Sequence, residues 1–283
     1  MNRILSTWAD DLRLSRATVA AIFFLPIVII VVAHAVLFCD PLLFRKMTRK
    51  AYWFGPVAPP PAESQAKTAG GEEFYWSKHA WRFERGFGPI NVAEFAVVAV
   101  AAVLAFRVFL HARRRGRTGL AALYLAIALI SAIIAADEVR WGQSFGLNLF
   151  PQDVVEAVRS RNRQGEMTLH NQPGVMDVLK KAITALALWG LGAGIYTVRK
   201  HREWFQEKAY YWFLPHPVLA SSFAVVLFYD VERVIYRIVV GSRPRGAWSA
   251  MQEPAELAAV LAFMWFCWFA LRAVKRWPVP AKS

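Results

Sequence analysis

Residues 91–138 read NVAEFAVVAVAAVLAFRVFLHARRRGRTGLAALYLAIALISAIIAADE, and this stretch decides the fold. Two apolar runs, each about 20 residues long, flank a cluster of four arginines at 113–117. A helix of about 20 apolar residues crosses the ~30 Å hydrocarbon core of a bilayer, and arginine-rich connections stay on the cytoplasmic side. The stretch therefore predicts two antiparallel transmembrane helices whose connection lies inside the cell.

The same pattern recurs along the 283-residue chain, which is 57% hydrophobic with a mean hydropathy of +0.31. In lipid the backbone must hydrogen-bond to itself, so the spans are helices. The predicted fold class is all-α: a single integral membrane domain, residues 1–283, built as a six-helix transmembrane bundle with both termini cytoplasmic and an extracytoplasmic cap of short interfacial helices and loops. Spans are predicted at about 18–38, 91–110, 118–136, 178–198, 210–229 and 254–274, and outer loops at 39–90, 137–177 and 230–253.

The distribution of charge predicts the orientation and the compartment. The inner segments hold 16 Lys and Arg residues and four acids, a net +12, whereas the outer segments hold 18 and 16, a net +2. This asymmetry predicts a multi-pass protein of the bacterial inner (plasma) membrane, with its functional face extracytoplasmic. The overall charge of +14 comes without a nucleic-acid recognition motif, so it indicates membrane lipids and not nucleic acid as partners.

Cysteine chemistry and the common catalytic motifs are absent from the sequence. Cys39 and Cys267 fall at different depths of the predicted bundle, which argues against a disulfide. The chain also lacks CxxC, GxSxG, HExxH, a Walker A loop and GxGxxG after a strand. The candidate chemistry therefore rests on clusters of acids, histidine and arginine in the outer segments.

The first cluster follows the third span, where Asp137 and Glu138 are succeeded by Arg140, Trp141 and Gln143. On a continuing helix Asp137 faces Arg140 at i+3 and Trp141 at i+4. Arg140 then neutralises one acid and leaves the other for a metal, a proton or a substrate. The alternative is that the two acids are stop signals with their carboxylates in water.

The second cluster lies in the same outer segment and contains Glu166, His170 and Asn171. A histidine beside a carboxylate and an amide can act as a general base or a metal ligand that its neighbours orient. The alternative is a structural histidine in a polar loop.

The third cluster, Asp230, Glu232 and Arg233, has two interpretations that depend on where its helix begins. If Pro217 opens the helix, Asp230 lies about 20 Å along it, and charged groups at that depth need partners inside the bundle. If the helix begins at Tyr210, the same residues lie in interfacial water and require no further explanation.

Acids also lie at the outer starts of two spans. Glu94 follows Asn91, which is predicted to cap its helix, and it precedes only apolar residues of the second span. Glu253 and Glu256 flank Pro254 at the start of the last span, where the helix dipole alone favours acids. Glu94 is therefore a candidate site residue, together with Asp230 and Glu232.

About 35 residues, from Asp137 to Asn171, resemble a family of uncharacterised bacterial multi-pass inner-membrane proteins. The family signature is acid-Glu-x-x-Trp-Gly-Gln, then a Pro-acid helix start, then Asn-x-Gln-x-Glu-x-x-Leu-His-Asn. Here it reads Asp137-Glu138-x-x-Trp141-Gly142-Gln143, Pro151-Gln152-Asp153 and Asn162-x-Gln164-x-Glu166-x-x-Leu169-His170-Asn171. The chain departs from it in Asp137, where the family usually has Glu, and in Gln152 before the acid. The resemblance supplies no reaction, but it implies that six residues act as one unit: Glu138, Trp141, Gln143, Glu166, His170 and Asn171.

The leading hypothesis is an enzyme that acts at the outer membrane interface on a lipid or a lipid-linked envelope precursor. Its acid–base groups are Glu138 and His170, which also suit a divalent metal with mixed oxygen and nitrogen ligands. Arginine suits an anionic headgroup. The expected catalytic residues are Glu138, His170, Glu166 and Asp137, and the expected substrate-binding residues are Arg140, Trp141, Gln143, Asn171 and Arg233.

Two other functions fit the same sequence. One is a non-catalytic membrane assembly or interaction subunit whose polar cluster is structural. The other is a proton-coupled transporter, which needs ionisable residues along a path through the bundle.

Overall fold

The structure, a computed structural model, describes residues 1–40, 89–139, 141, 149–161, 168, 172, 174–200, 215–241 and 251–276. Within these ranges the regular elements are helices and no strand occurs, which confirms the predicted all-α class. In chain order they are α1 (Asn2–Leu12), α2 (Arg16–Cys39), α3 (Pro89–Arg114), α4 (Thr118–Glu138), α5 (Gln152–Arg161), α6 (Val175–Lys200), a 3-10 turn (Pro217–Leu219), α7 (Ala220–Val240) and α8 (Gln252–Lys275).

Four of the described helices are long and apolar enough to cross a membrane: α2, α3 from Ile90, α4 and α8. Their most apolar windows have mean hydropathies of 2.0 to 2.9. Helices α6 and α7, of 26 and 21 residues, reach a comparable length but are not among these four. These features define a helical membrane protein.

Helix α8 lies at the centre of the bundle. It packs against α2, α3 and α7, while α4 packs on α3 and α6 packs on α7. Half of the apolar window of α8 is buried inside the protein, compared with 28% for each of α2, α3 and α4. The less buried helices present apolar side chains outward, as expected where lipid is the solvent.

The antiparallel arrangement gathers polar residues at two opposite ends. At one end, the Arg115 guanidinium donates to the Lys275 carbonyl oxygen (3.2 Å) and Arg272 donates to the Arg13 carbonyl oxygen (2.9 Å). We call this the basic end. At the other, the acidic end, the start of α3 meets the start of α8 through Asn91 and Glu253.

Helix α7 lies later in the chain than the predicted span 210–229, and the predicted loop 230–253 is wrong over 230–240 because those residues are helical. The ring nitrogen Nδ1 of His216 accepts a hydrogen bond from the Val218 amide (3.2 Å), and Pro217 occupies the first position of the turn. This cap starts the helical segment at Pro217. Residues 201–214 lie outside the described ranges, as do 41–88, which include the predicted interfacial helices.

Helix α7 is displaced toward the acidic end relative to α8. At the start of α7, the His216 ring lies 6.4 Å from the ring of Phe269. Phe269 precedes the end of α8 by about 9 Å along the helix axis, at 1.5 Å per residue. Near the middle of α7, Asp230 lines the same cleft as Glu256, which belongs to the second turn of α8. Asp230 is therefore a mid-helix residue that lies level with the acidic end of its neighbours.

Candidate functional site

Three carboxylates meet at the acidic end of the bundle. Glu94 of α3 and the pair Glu253 and Glu256 of α8 each present an oxygen, and these atoms lie within 4.8 Å of one another. Glu94 is buried with 3% exposure, and the other two are half-buried. The parallel packing of α3 and α8 produces this cluster, because both helices begin at this end and each acid lies near the start of its helix.

The repulsion energy between these carboxylates is larger than the stabilisation that the helix dipoles provide. Two carboxylates 4.8 Å apart repel by about 3 kcal/mol at an effective dielectric constant near 20. A helix N-terminus stabilises an acid by about 0.3–1 kcal/mol. The repulsion is relieved by hydrogen-bond donors or cations beside the carboxylates, or by a proton on one of them.

Asn91 joins the carboxylates and does not act as the predicted helix cap. Helix α3 already begins at Pro89, so Asn91 lies within its first turn. Its amide nitrogen Nδ2 donates to Glu253 Oε2 (2.6 Å) and lies 3.5 Å from Glu94 Oε2. The Gln252 amide likewise donates to Glu256 Oε1. Asn91 thus joins α3 to α8 by a hydrogen bond, and the Gln252–Glu256 bond lies within α8.

A cleft between α6, α7 and α8 adjoins this cluster and shares Glu256 with it. Its empty volume is about 370 Å³, including the open mouth. Within it the Thr184 hydroxyl donates to Asp230 Oδ2 (2.5 Å), and the Arg233 guanidinium lies 3.7 Å from Asp230 Oδ1. The remaining polar lining consists of Lys180, Tyr229, Gln252 and Glu256. Two cations and two carboxylates therefore face a largely apolar space.

Glu232 points away from this cleft, toward α2. Its Oε1 lies 3.1 Å from Nε2 of His34, whose Nδ1 lies 2.9 Å from the Ile30 carbonyl oxygen four residues earlier. Since a carbonyl oxygen only accepts, Nδ1 carries the donated hydrogen. The contact between Nε2 and Oε1 then needs a second proton, held on either the imidazole or the carboxyl group.

The first predicted cluster is described only in part. The Trp141 indole N–H donates to Asp137 Oδ1 (3.0 Å), so these two side chains are in contact, although the continuing helix on which the prediction depended ends at Glu138. Asp137 is buried and Glu138 is half-buried at the end of α4, the same end as the carboxylate cluster. Trp141 has a left-handed backbone (φ 55°), which ends the helical register after α4.

Other predicted site residues lie outside the described part of the chain: Arg140, Gln143, Glu166, His170 and Asn171. The proximity of Glu138 to His170, on which both the acid–base pair and the predicted metal site depend, therefore stays a prediction. Helix α5 does begin directly after Pro151, where the sequence predicts a helix start.

No protein-family model, no curated protein and no solved structure matches this chain. The fold and the site define a helical membrane protein with a polar, carboxylate-rich end.

The sequence identified several of these residues individually but did not predict which of them are in contact. Asp230, Arg233 and Glu94 were candidates, whereas Asn91 was expected only to cap a helix. The signal that was available is the placement of acids within the first two turns of α3 and α8, two helices that begin on the same side. The partner of Glu232 was missed because His34 is 198 residues away in the chain.

Proposed function

We propose that this chain is a six-span protein of the bacterial inner membrane, with both termini in the cytoplasm and the acidic end facing outward. Helices α6 and α7 would bring the number of spans from four to six, because 26 and 21 residues extend about 39 Å and about 31 Å, with α7 displaced toward the acidic end. The arginines and lysines gathered at the basic end support this orientation through the positive-inside rule.

We further propose that the protein is an enzyme acting on a lipid or a lipid-linked envelope precursor at the outer interface. The observation that carries this proposal is the cleft at the acidic end, where Arg233 and Lys180 lie beside Asp230 and Glu256. The guanidinium and the ammonium match a phosphate-bearing headgroup. The carboxylates are suited to general acid–base work on the bound molecule.

The residues predicted at the end of α4 and in the segment after it belong to the same proposal. Glu138, Asp137, Glu166 and His170 would supply further acid–base or metal-binding groups to an outer site. Trp141 already contacts Asp137, which supports a shared role for that pair. The expected substrate-binding residues of this segment are Arg140, Gln143 and Asn171.

Headgroup binding is tested with Arg233→Gln in protein purified in mild detergent. We expect native mass spectrometry to show loss of most of the co-purifying anionic phospholipid, by about tenfold, because a charge-assisted hydrogen bond to phosphate is removed. The matched control is Arg237→Gln, one turn further along the same helix, exposed and outside the cleft lining. Equal lipid retention by the two variants would contradict a headgroup site in the cleft.

Catalysis is tested separately by incubating the purified protein with extracted envelope lipids and following products by mass spectrometry. Wild type is expected to convert one lipid class, and Glu256→Gln is expected to lose conversion while retaining bound lipid. Lipid binding without conversion of any class would exclude the enzyme and leave a lipid-binding protein.

The second candidate is a non-catalytic assembly or interaction subunit. Its support is the mutual bonding of the polar residues, since Asn91 bonds to Glu253 and Thr184 bonds to Asp230. Networks of this kind specify structure in many proteins. Under this function, substitutions in the network lower stability or partner recovery, and no lipid is converted.

A proton-coupled transporter is the third candidate, supported by the proton that the His34–Glu232 contact requires. It predicts proton uptake by reconstituted vesicles that Glu232→Gln abolishes.

A further inference from the structure

Basic side chains follow one face of α3 as it approaches the basic end. Arg107 and His111 are four residues apart and therefore lie on the same face of the helix. Arg107 is exposed and lies seven residues, about 10 Å, before the end of α3 at Arg114. An arginine inside an apolar span extends its guanidinium along the helix toward the headgroup layer. This face of α3 therefore carries positive charge from within the span to its end.

The end of α8 adds another cation to the same place. The Arg115 guanidinium donates to the carbonyl oxygens of His111 (3.3 Å) and Lys275 (3.2 Å), so it joins the last turn of α8 to the end of α3. The His111 ring experiences the positive charge of three further side chains, which belong to Arg107, Arg114 and Lys275. Two helices thus contribute cations to one cluster, which Arg115 holds together.

His111 contributes a neutral hydrogen-bond donor to this cluster. Its Nδ1 lies 3.3 Å from Nη1 of Arg115. A guanidinium group only donates, so Nδ1 is the acceptor and the imidazole hydrogen lies on Nε2. The half-buried His111 ring therefore offers an N–H group beside the surrounding cations.

The charge of the cluster is not balanced by acids in the part of the chain that the structure describes. There, Arg107, Arg114 and Lys275 form no ion pair with a carboxylate. Apolar side chains continue the surface deeper into the span, where Val103 is 60% exposed and Phe106 is 46% exposed. Cations near a helix end, next to exposed apolar side chains, match the charged phosphate and the acyl chains of an anionic phospholipid.

We propose that Arg107, His111 and Lys275 form a binding site for the phosphate of an anionic phospholipid in the leaflet next to the basic end. Guanidinium and ammonium groups form charge-assisted hydrogen bonds with phosphate oxygens. Arg115 is a positioning residue, because its bond to the Lys275 carbonyl oxygen brings α8 to α3. A lipid whose headgroup also carries an ammonium is disfavoured, since the cluster repels that second charge.

This site lies at the opposite end of the bundle from the cleft between α6, α7 and α8. It does not depend on the enzyme proposal, because a lipid bound across the ends of α3 and α8 stabilises a transporter or an assembly subunit equally well. An acidic protein segment is the competing occupant, and it makes the cluster insensitive to added lipid.

The test measures thermal unfolding of the full-length protein in detergent while phosphatidylglycerol is added. Every protein carries Arg233→Gln, which removes the contact proposed for the cleft, so that the response reports on the basic end. Phosphatidylglycerol is expected to raise the unfolding temperature of this parent protein until the site is saturated. Phosphatidylcholine, which has no net charge, and inorganic phosphate, which has no acyl chains, are expected to leave the unfolding temperature unchanged.

Substitutions then locate the response. Arg107→Gln is expected to raise the phosphatidylglycerol concentration for half of the effect by about fivefold, because one cationic contact to phosphate is lost. Addition of Lys275→Gln is expected to raise it by about 25-fold in total, whereas Arg107→Lys keeps the charge and is expected to respond as the parent does. The matched control is Arg113→Gln, which removes an equal charge two residues from His111, on the opposite face of α3, and is expected to respond as the parent does.

Unfolding without lipid separates loss of binding from loss of fold. Arg107 is exposed, so Arg107→Gln is expected to unfold at the temperature of the parent, and Lys275→Gln alone replaces it if it does not. A folded parent that phosphatidylglycerol does not stabilise overturns the site. Equal responses of Arg107→Gln and Arg113→Gln also overturn it, because net charge alone would then explain the effect. Stabilisation by inorganic phosphate equal to that by phosphatidylglycerol overturns the assignment to a lipid.

Discussion

His34 and Glu232 form a contact whose energy depends on a shared proton. Nδ1 of His34 donates to Ile30, so Nε2 faces the carboxyl oxygen of Glu232 3.1 Å away. Both side chains are about four-fifths buried, at 21% and 19% exposure. Removal of one partner leaves the other buried without its hydrogen bond, whereas removal of both leaves neither polar group.

This reasoning predicts a non-additive pair of substitutions. His34→Leu is expected to lower the free energy of unfolding by about 1–3 kcal/mol, because it strands the Glu232 carboxyl group. The double variant His34→Leu with Glu232→Leu is expected to be more stable than His34→Leu alone. Unfolding in mixed micelles of increasing denaturing detergent measures both. If the double variant loses as much free energy of unfolding as the two single variants lose together, the residues do not interact.

At single positions, the sequence predicted functional candidates better than it predicted their partners. Asp137 and Trp141 are only four residues apart in the chain, and the hydrogen bond between them is present although α4 ends at Glu138, before Trp141. The contacts of Asn91 with Glu253 and of His34 with Glu232 join residues more than 150 positions apart, which no local pattern encodes. Long-range partners depend on which helices become neighbours, and periodicity does not specify that.

Helices α6 and α7 approach each other closely through glycines on one face of α6. A Cβ atom built at Gly190 would lie 2.6 Å from the ring of Phe223, and one at Gly194 would lie 3.2 Å from the Pro215 carbonyl oxygen. The intervening Gly192 has no atom within 4 Å of its built Cβ position among the described residues. Small residues four apart let two membrane helices pack backbone to backbone.

Substitution of these glycines tests the α6–α7 contact. Gly190→Ala is expected to lower the free energy of unfolding by about 1–3 kcal/mol, because Phe223 must move out of its position. Gly192→Ala is the matched control and is expected to be neutral, or stabilising by about 0.5–1 kcal/mol through helix propensity. The same detergent titration measures both variants, and equal stability of the two would contradict the packing described.

The accuracy with which the sequence predicted each of these helices depended on how apolar that helix is. Four of the predicted spans, 18–38, 91–110, 118–136 and 254–274, coincide with helices long and apolar enough to cross a membrane. The span at 210–229 was misplaced because Asp230, Glu232 and Arg233 resemble the start of an aqueous loop. These residues stay helical because Thr184 and His34 on neighbouring helices accommodate their charges.

For the whole molecule, the separation of charge predicts which end of the bundle lies on which side of the membrane. Labelling of the native cysteines tests this orientation. Cys39 is exposed at the end of α2 that belongs to the acidic end, and Cys267 is buried. A membrane-impermeant maleimide added to intact spheroplasts is therefore expected to label wild type once, at Cys39. Cys39→Ser is expected to remain unlabelled.

The control for this experiment is inverted membrane vesicles, which expose the opposite face. Labelling of Cys39 in these vesicles and not in spheroplasts would reverse the proposed orientation and place the acidic end in the cytoplasm. The four arginines at 113–117, in the short connection between α3 and α4 at the basic end, argue for the outward placement of the acidic end.

The displacement of α7 by about 9 Å toward the acidic end links the cleft to the bilayer around it. If the surface of the bilayer lies at the acidic end, this offset brings Asp230, Glu232 and Arg233 to the headgroup layer from the middle of a helix. A thicker bilayer then draws this charged turn toward hydrocarbon, whereas a thinner one exposes it to water. We therefore expect the hydration of the cleft to depend on the length of the acyl chains around the protein.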